Sequence, residues 1–158
     1  VPSFSILRED IFQPGPASLV SAALDELNRR YGGDSDTAHL DNEEMAPPRG
    51  GFFVARSDDG HLAGGVGLRS IVDPDLHLGE IKRLWVRPDL RQAGVARGLM
   101  AAVENYARDC GYAQLFLETG WAQPEAQAFY QRIGWTRIDD FPEGAFSYPL
   151  GIKFTRVF

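Results

Sequence analysis

The chain has 158 residues, enough for one domain with a core of its own. A net charge of −6 argues against broad nucleic-acid binding, and the single cysteine, Cys110, excludes an internal disulfide or a metal site of paired cysteines. No run of eighteen apolar residues occurs, and the start VPSFSILRED lacks a charged segment followed by an apolar core, so a soluble cytoplasmic protein without membrane span or signal peptide is expected.

Ser3 to Arg8 reads as a first strand. Gly15-Pro16 places proline where helices begin, and Leu19, Val20, Ala23, Leu24, Leu27 and Tyr31 recur at three and four, predicting a helix with one buried face that Gly32-Gly33 stops. Asp34, Asp36, Asp41, Glu43 and Glu44 then place five negative charges in a segment without Lys or Arg, read as loop or short helix up to Pro47-Pro48. This segment is either a solvated acidic loop or a surface that attracts a cation. Gly51 to Arg56 and Leu62 to Val72 are strands joined at Asp58-Asp59-Gly60, a hairpin turn signal. Within the second, Gly64-Gly65-Val66-Gly67 has no helix start after it and reads as a bulge or a close backbone approach, not a nucleotide loop. A turn at Asp73-Pro74-Asp75 leads to a strand from His77 to Arg87.

Pro88 breaks that strand, and a helix opens at Arg91-x-x-Gly94-x-Ala96. A helix start carries unpartnered N–H groups and the positive end of the dipole, so it attracts phosphate. Gly94 removes a blocking side chain, and Arg91 and Arg97 add forked donors on either side. The helix should bury Val95, Leu99, Val103, Tyr106 and Cys110, turn Arg97, Glu104, Arg108 and Asp109 outward, and end at Gly111. Ala113 to Glu118 is a short apolar strand, expected parallel to the one before it by a right-handed crossover. A further helix runs from about Pro124 to Ile133, and Trp135 to Ile138 and Ser147 to Val157 supply the last strands. His39, His61 and His77 show no metal-ligand spacing, so no metal is expected. Trp85, Trp121 and Trp135 read as core or pocket wall.

Two blocks, E-I-K-R-L-W-V-R-P running into Arg91-x-x-Gly94-x-Ala96 and Q-P-E-A-Q-A-F-Y-Q-R-I-G-W at Gln123 to Trp135, joined through L-F-L-E-T at Leu115 to Thr119, resemble the GNAT superfamily of acyl-CoA N-acyltransferases. The resemblance implies a single α/β domain over residues 1–158: a twisted mixed sheet of about seven strands, antiparallel at its start and parallel at its centre, with about four helices on its faces. It implies acetyl-CoA as acyl donor, bound along Leu84, Trp85 and Val86, at the turn Arg91, Gln92, Ala93, Gly94, Val95, Ala96 and Arg97, and by Gln123, Ala126, Phe129 and Tyr130. Gln123 stands where many members have Asn, and Ala96 where many have a second Gly.

The implied reaction is acetylation of a primary amine in a ternary complex, with no reactive cysteine or serine motif to carry an acyl group. An amine of the lysine type has an ordinary pKa near ~10.4 and needs a base. Glu80 is the candidate, its alternatives being an ion pair with Lys82 or Arg83, or binding the acceptor without deprotonating it. Tyr130 matches the tyrosine that protonates the departing thiolate, its alternative being a packed core tyrosine. Glu118 lines the acceptor pocket or forms an ion pair. The acceptor-binding first 75 residues match nothing specific. The acidic segment favours a cationic acceptor such as a small amine, polyamine, aminoglycoside or protein amino group. A homodimer is expected from the resemblance alone, and a non-catalytic acyl-CoA sensor is the competing function.

Overall fold

The computed structural model describes residues 3–33 and 42–158. Seven strands form one sheet in the order β1-β2-β3-β4-β5-β7-β6: β1 Phe4–Arg8, β2 Gly51–Ser57, β3 Leu62–Ser70, β4 Leu78–Val86, β5 Gln114–Thr119, β6 Thr136–Ile138 and β7 Ile152–Val157. β1 to β4 run antiparallel to their neighbours, β4 and β5 are the parallel pair, and β7 returns antiparallel to both β5 and β6. The described residues hold three α-helices, α1 Pro14–Tyr31, α2 Val95–Asp109 and α3 Pro124–Arg132, rather than about four. Beyond α1, the described part of the acidic segment forms a single 3₁₀ turn, Asn42–Met45, which buries only Met45. A fully helical segment would need an apolar stripe of several turns, which these residues lack. No helix among the described residues is long and apolar enough to cross a membrane.

Alternation along β2 assigns the two faces of the sheet. Phe53 and Ala55 join the core built on Val95, Leu99 and Val103 of α2, whereas Phe52 and Val54 pack with Leu19 and Val20 of α1. The two helices therefore cover opposite faces. β5 repeats the pattern: Leu115 and Leu117 enter the α2 core, while Phe116 packs with Ile71 and Phe141 on the other side.

Two expectations for α2 are corrected. Cys110 is exposed, because it caps the last turn where the chain swings into Gly111 (φ 87°). Glu104 is buried and held by Arg156 Nε at 2.9 Å, so the outward stripe loses one member to a cross-element ion pair that helical periodicity does not encode. The glycine run of β3 does mark close packing. A Cβ on Gly65 would meet the Phe52 ring at 2.9 Å, and one on Gly64 would meet the Trp85 carbonyl oxygen at 2.6 Å.

Candidate active site

β4 and β5 pair only at Leu78↔Gln114, Gly79↔Leu115 and Glu80↔Phe116, yet β4 continues to Val86 and β5 to Thr119. The divergence has a local cause. The β3–β4 register shifts between Gly65 and Gly67, and Arg83 takes φ 60°, a left-handed conformation uncommon for a non-glycine residue. This extra residue bends β4 and resets its alternation: Ile81 faces the α2 core before it, and Leu84 and Val86 after it. Between the diverging strands opens a cleft of about 1060 Å³. Leu84, Trp85 and Val86 line one wall, Leu117, Glu118 and Thr119 the other, and Ala126, Phe129 and Tyr130 of α3 close the side.

The start of α2 opens onto the same cleft. After Pro88–Leu90 makes a 3₁₀ turn, Gln92 (φ 65°) and Gly94 (φ 90°) swing the backbone so that Gly94 becomes the N-cap, and no side chain caps the helix. The first N–H groups of a 15-residue helix thus have no side-chain cap, an arrangement able to accept an anion. A Cβ added to Gly94 would have no atom within 4 Å, so open space lies in front of them. Gln92, Gly94, Ala96 and Arg97 line the cleft, but Ala93 does not, and Val95 is buried in the core. Arg91 donates from Nε to the Val86 carbonyl at 2.9 Å and from Nη2 to Glu26 at 2.6 Å, so α1 holds its guanidinium at the mouth of the turn.

α1 also spans to the turn between β5 and α3. Arg30 Nη1 reaches Glu125 at 2.6 Å and the Ala122 carbonyl at 3.1 Å, and the Tyr31 hydroxyl accepts from the Ala122 N–H at 3.0 Å. Gln123 lines the cleft, but its Oε1 accepts from the Gly120 N–H at 3.0 Å and from the Thr119 and Tyr31 hydroxyls at 3.3 Å each. The carbonyl end of that side chain shapes the turn. Tyr130 is buried among Phe129, Phe154 and Trp135, with ring centroids 5.4, 5.7 and 6.5 Å away. Burial pushes its hydroxyl well above the ordinary phenol range; a phenol is protonated at neutral pH in either case, so the hydroxyl can act as a donor.

The two candidate carboxylates have different fates. Glu80 is 2% exposed and does not line the cleft. Its partner is Arg69, directly across the β3–β4 ladder, which reaches Glu80 Oε1 from Nε at 2.9 Å and from Nη2 at 2.8 Å, and Glu44 from Nη1 at 2.7 Å. Lys82, an expected partner, stands 4.0 Å away. Glu44 is thereby committed to the framework, while Asp34, Asp36, His39 and Asp41 lie outside the described residues. Glu118, by contrast, lines the cleft. It accepts from the Tyr148 N–H at 3.1 Å and lies 3.5 Å from Lys153 Nζ, and burial raises its pKa against the lowering effect of these partners. Gly151 makes room for it, since a Cβ there would overlap the Glu118 carboxylate.

A sheet whose central parallel pair parts to admit a ligand beside an uncapped helix start has close counterparts. Residues 20–135 match the acetyltransferase (GNAT) family. The sequence is 33% identical over 138 residues to the IAA acetyltransferase of Azospirillum brasilense, covering 85% of each chain. The fold superposes with a TM-score of 0.82 on a GNAT-family acetyltransferase from Staphylococcus aureus Mu50, at 16% identity and covering 98% of this chain and 99% of that one. It superposes with a TM-score of 0.66 on a GNAT-family acetyltransferase from Elizabethkingia anophelis with acetyl-CoA bound, at 17% identity and 98% coverage of both. The motifs, the splayed strands and these likenesses agree: the chain belongs to the acetyltransferase (GNAT) family.

Proposed function

We propose that the protein is an acetyl-CoA-dependent N-acetyltransferase that passes the acetyl group directly to a primary amine in a ternary complex. The observation that carries this reading is the cleft itself, which joins an uncapped α2 start at one end to a buried, protonated tyrosine and a carboxylate at the other. In this reading the turn from Arg91 through Gln92, Ala93, Gly94, Val95 and Ala96 to Arg97 holds the coenzyme's diphosphate, through backbone N–H groups and the two guanidinium groups. The open edge of β4 along Leu84, Trp85 and Val86 holds the pantetheine, and the backbone N–H groups that face away from β3 polarise the thioester carbonyl. Gln123, Ala126 and Phe129 form the opposing wall.

The amine nitrogen forms a bond to the carbonyl carbon as the carbon–sulfur bond breaks. The ammonium must lose a first proton before attack and a second once the nitrogen is acylated, while the thiolate must gain one. Tyr130 protonates the thiolate through its hydroxyl and is restored by the second proton. We assign the first to Glu118 in place of Glu80: Glu118 faces the cleft, whereas Glu80 is enclosed with Arg69. A carboxylate whose pKa is raised by burial is a better proton acceptor than an exposed one. No cysteine or serine lines the cleft among the described residues, which supports direct transfer.

Calorimetry with coenzyme A, followed by thiol release from acetyl-CoA over a panel of primary amines, tests the reading. Binding with steady, amine-dependent release is expected. Binding without turnover would make the protein an acyl-CoA sensor, and failure to bind would remove the assignment.

A further inference from the structure

The described residues leave eleven large hydrophobic side chains exposed, and four of them, Tyr31, Trp121, Tyr148 and Leu150, line the cleft around Glu118. Trp121 is 63% exposed and Leu150 73%. Apolar groups scattered singly are ordinary on a protein surface, but a contiguous set rimming a concave site marks a binding surface. The rim is also held in place. Tyr31 stands edge-on to Trp121 with ring centroids 5.7 Å apart, and its hydroxyl is fixed by the Ala122 N–H. Tyr148 is tied through its own N–H to Glu118.

Charge limits what such a rim can accept. Of the three described carboxylates in the cleft wall, Glu26 and Glu125 are paired with Arg91 and Arg30, which leaves Glu118, on which both Lys153 and Lys82 act electrostatically. One ammonium can replace part of that balance, but a second positive charge would meet two lysines in a site of low polarity, where like charges repel strongly. Among the described residues this favours a monocation over a polyamine or aminoglycoside; Asp34, Asp36 and Asp41 of the acidic segment lie outside them.

Resting on the acetyltransferase reading, we infer that the acceptor is a primary amine with a single positive charge, carried on an aromatic or branched apolar body. The amine meets Glu118, and its body lies against Trp121, Leu150, Tyr148 and Tyr31. Glu118 takes one proton from the ammonium, the neutral nitrogen forms the N–C bond as the C–S bond breaks, Tyr130 protonates the sulfur, and the second proton leaving the nitrogen restores the Tyr130 hydroxyl.

The test compares 2-phenylethylamine, ethylamine and putrescine at saturating acetyl-CoA by thiol release. A kcat/KM for 2-phenylethylamine about tenfold or more above the other two is expected, the usual scale for filling an apolar pocket. Trp121→Ala and Leu150→Ala should each raise KM for 2-phenylethylamine about tenfold while the calorimetric affinity for coenzyme A is unchanged. Putrescine turned over as well as 2-phenylethylamine, or an unchanged KM in both variants, would overturn the inference and leave the transferase reading intact. Coenzyme A binding with turnover of none of the three would overturn the inference, and failure of the wild type to bind coenzyme A would overturn the transferase reading.

Discussion

Replacing Arg69 by Met separates framework from catalysis at Glu80. The substitution removes donors at 2.8 and 2.9 Å from a carboxylate whose side chain is 3% exposed, and leaves Lys82 at 4.0 Å as its nearest cation among the described ion pairs. Breaking a buried pair from one side costs roughly 3–5 kcal/mol, because the remaining charge is uncompensated. Lys82 offsets part of this, and Glu44, 43% exposed in its side chain, returns to water at little cost. The lower end, about 3 kcal/mol, is therefore expected. For a chain of this size that corresponds to a melting temperature lower by roughly 6–12 °C. Urea unfolding measures it directly. The double variant Arg69→Met with Glu80→Met removes both charges and fills the space with apolar atoms, so it should lie within about 1 kcal/mol of wild type, giving a large coupling energy. Thiol release by the double variant should remain close to wild type. A single variant that loses less than about 1 kcal/mol, a double variant as unstable as the single one, or a folded double variant without turnover would each refute the framework role.

Three further outcomes are expected at the cleft. Tyr130→Phe keeps the ring among its aromatic neighbours and should lower kcat by about a hundredfold, at the lower end for loss of a general acid, with coenzyme affinity unchanged in calorimetry. Gly94→Val places a branched side chain at φ 90° in the space before the helix start; it should cost about 1–2 kcal/mol in urea unfolding and weaken coenzyme binding more than it weakens the fold. For Glu118, burial raises the folded pKa above the ordinary 4.5, so the ionised form is disfavoured in the folded state. Activity should fall as pH drops through that raised value, and Glu118→Gln should lose this limb along with most of kcat. In unfolding experiments Glu118→Gln should gain stability over wild type at pH above the raised value, and the gain should vanish as pH falls below 4.5. A pH-independent difference would sink the assignment.

The strands and α2 were legible because each carries its own punctuation: Asp58-Asp59-Gly60 between β2 and β3, Pro88 after β4, Gly94 before α2 and Gly111 after it. The turn before α2 was legible for the same reason, since a helix start after a proline-broken strand is a local event. Pairings set by register were not. Arg69 and Glu80 are eleven residues apart and become neighbours only through the β3–β4 ladder, and Glu118 finds Lys153 only when β7 returns beside β5. The bulge at Arg83 left no composition signal on β4. Its trace was on the opposite strand, in Gly65 and Gly67, which leave room for Phe52 and for the Met45 sulfur. The apolar rim of the cleft escaped because its members come from α1, the β5–α3 turn and the segment before β7, which no spacing rule connects.

Within the sheet, three ladder pairs among the described residues join the four leading strands to the three trailing ones. The sheet is thus two ribbons sharing a short seam, and a molecule lodged between them touches both. Occupancy should then knit the halves together: amide exchange at residues 78–80 and 114–116 would slow on coenzyme binding, and each increment of affinity would register as resistance of this seam to opening.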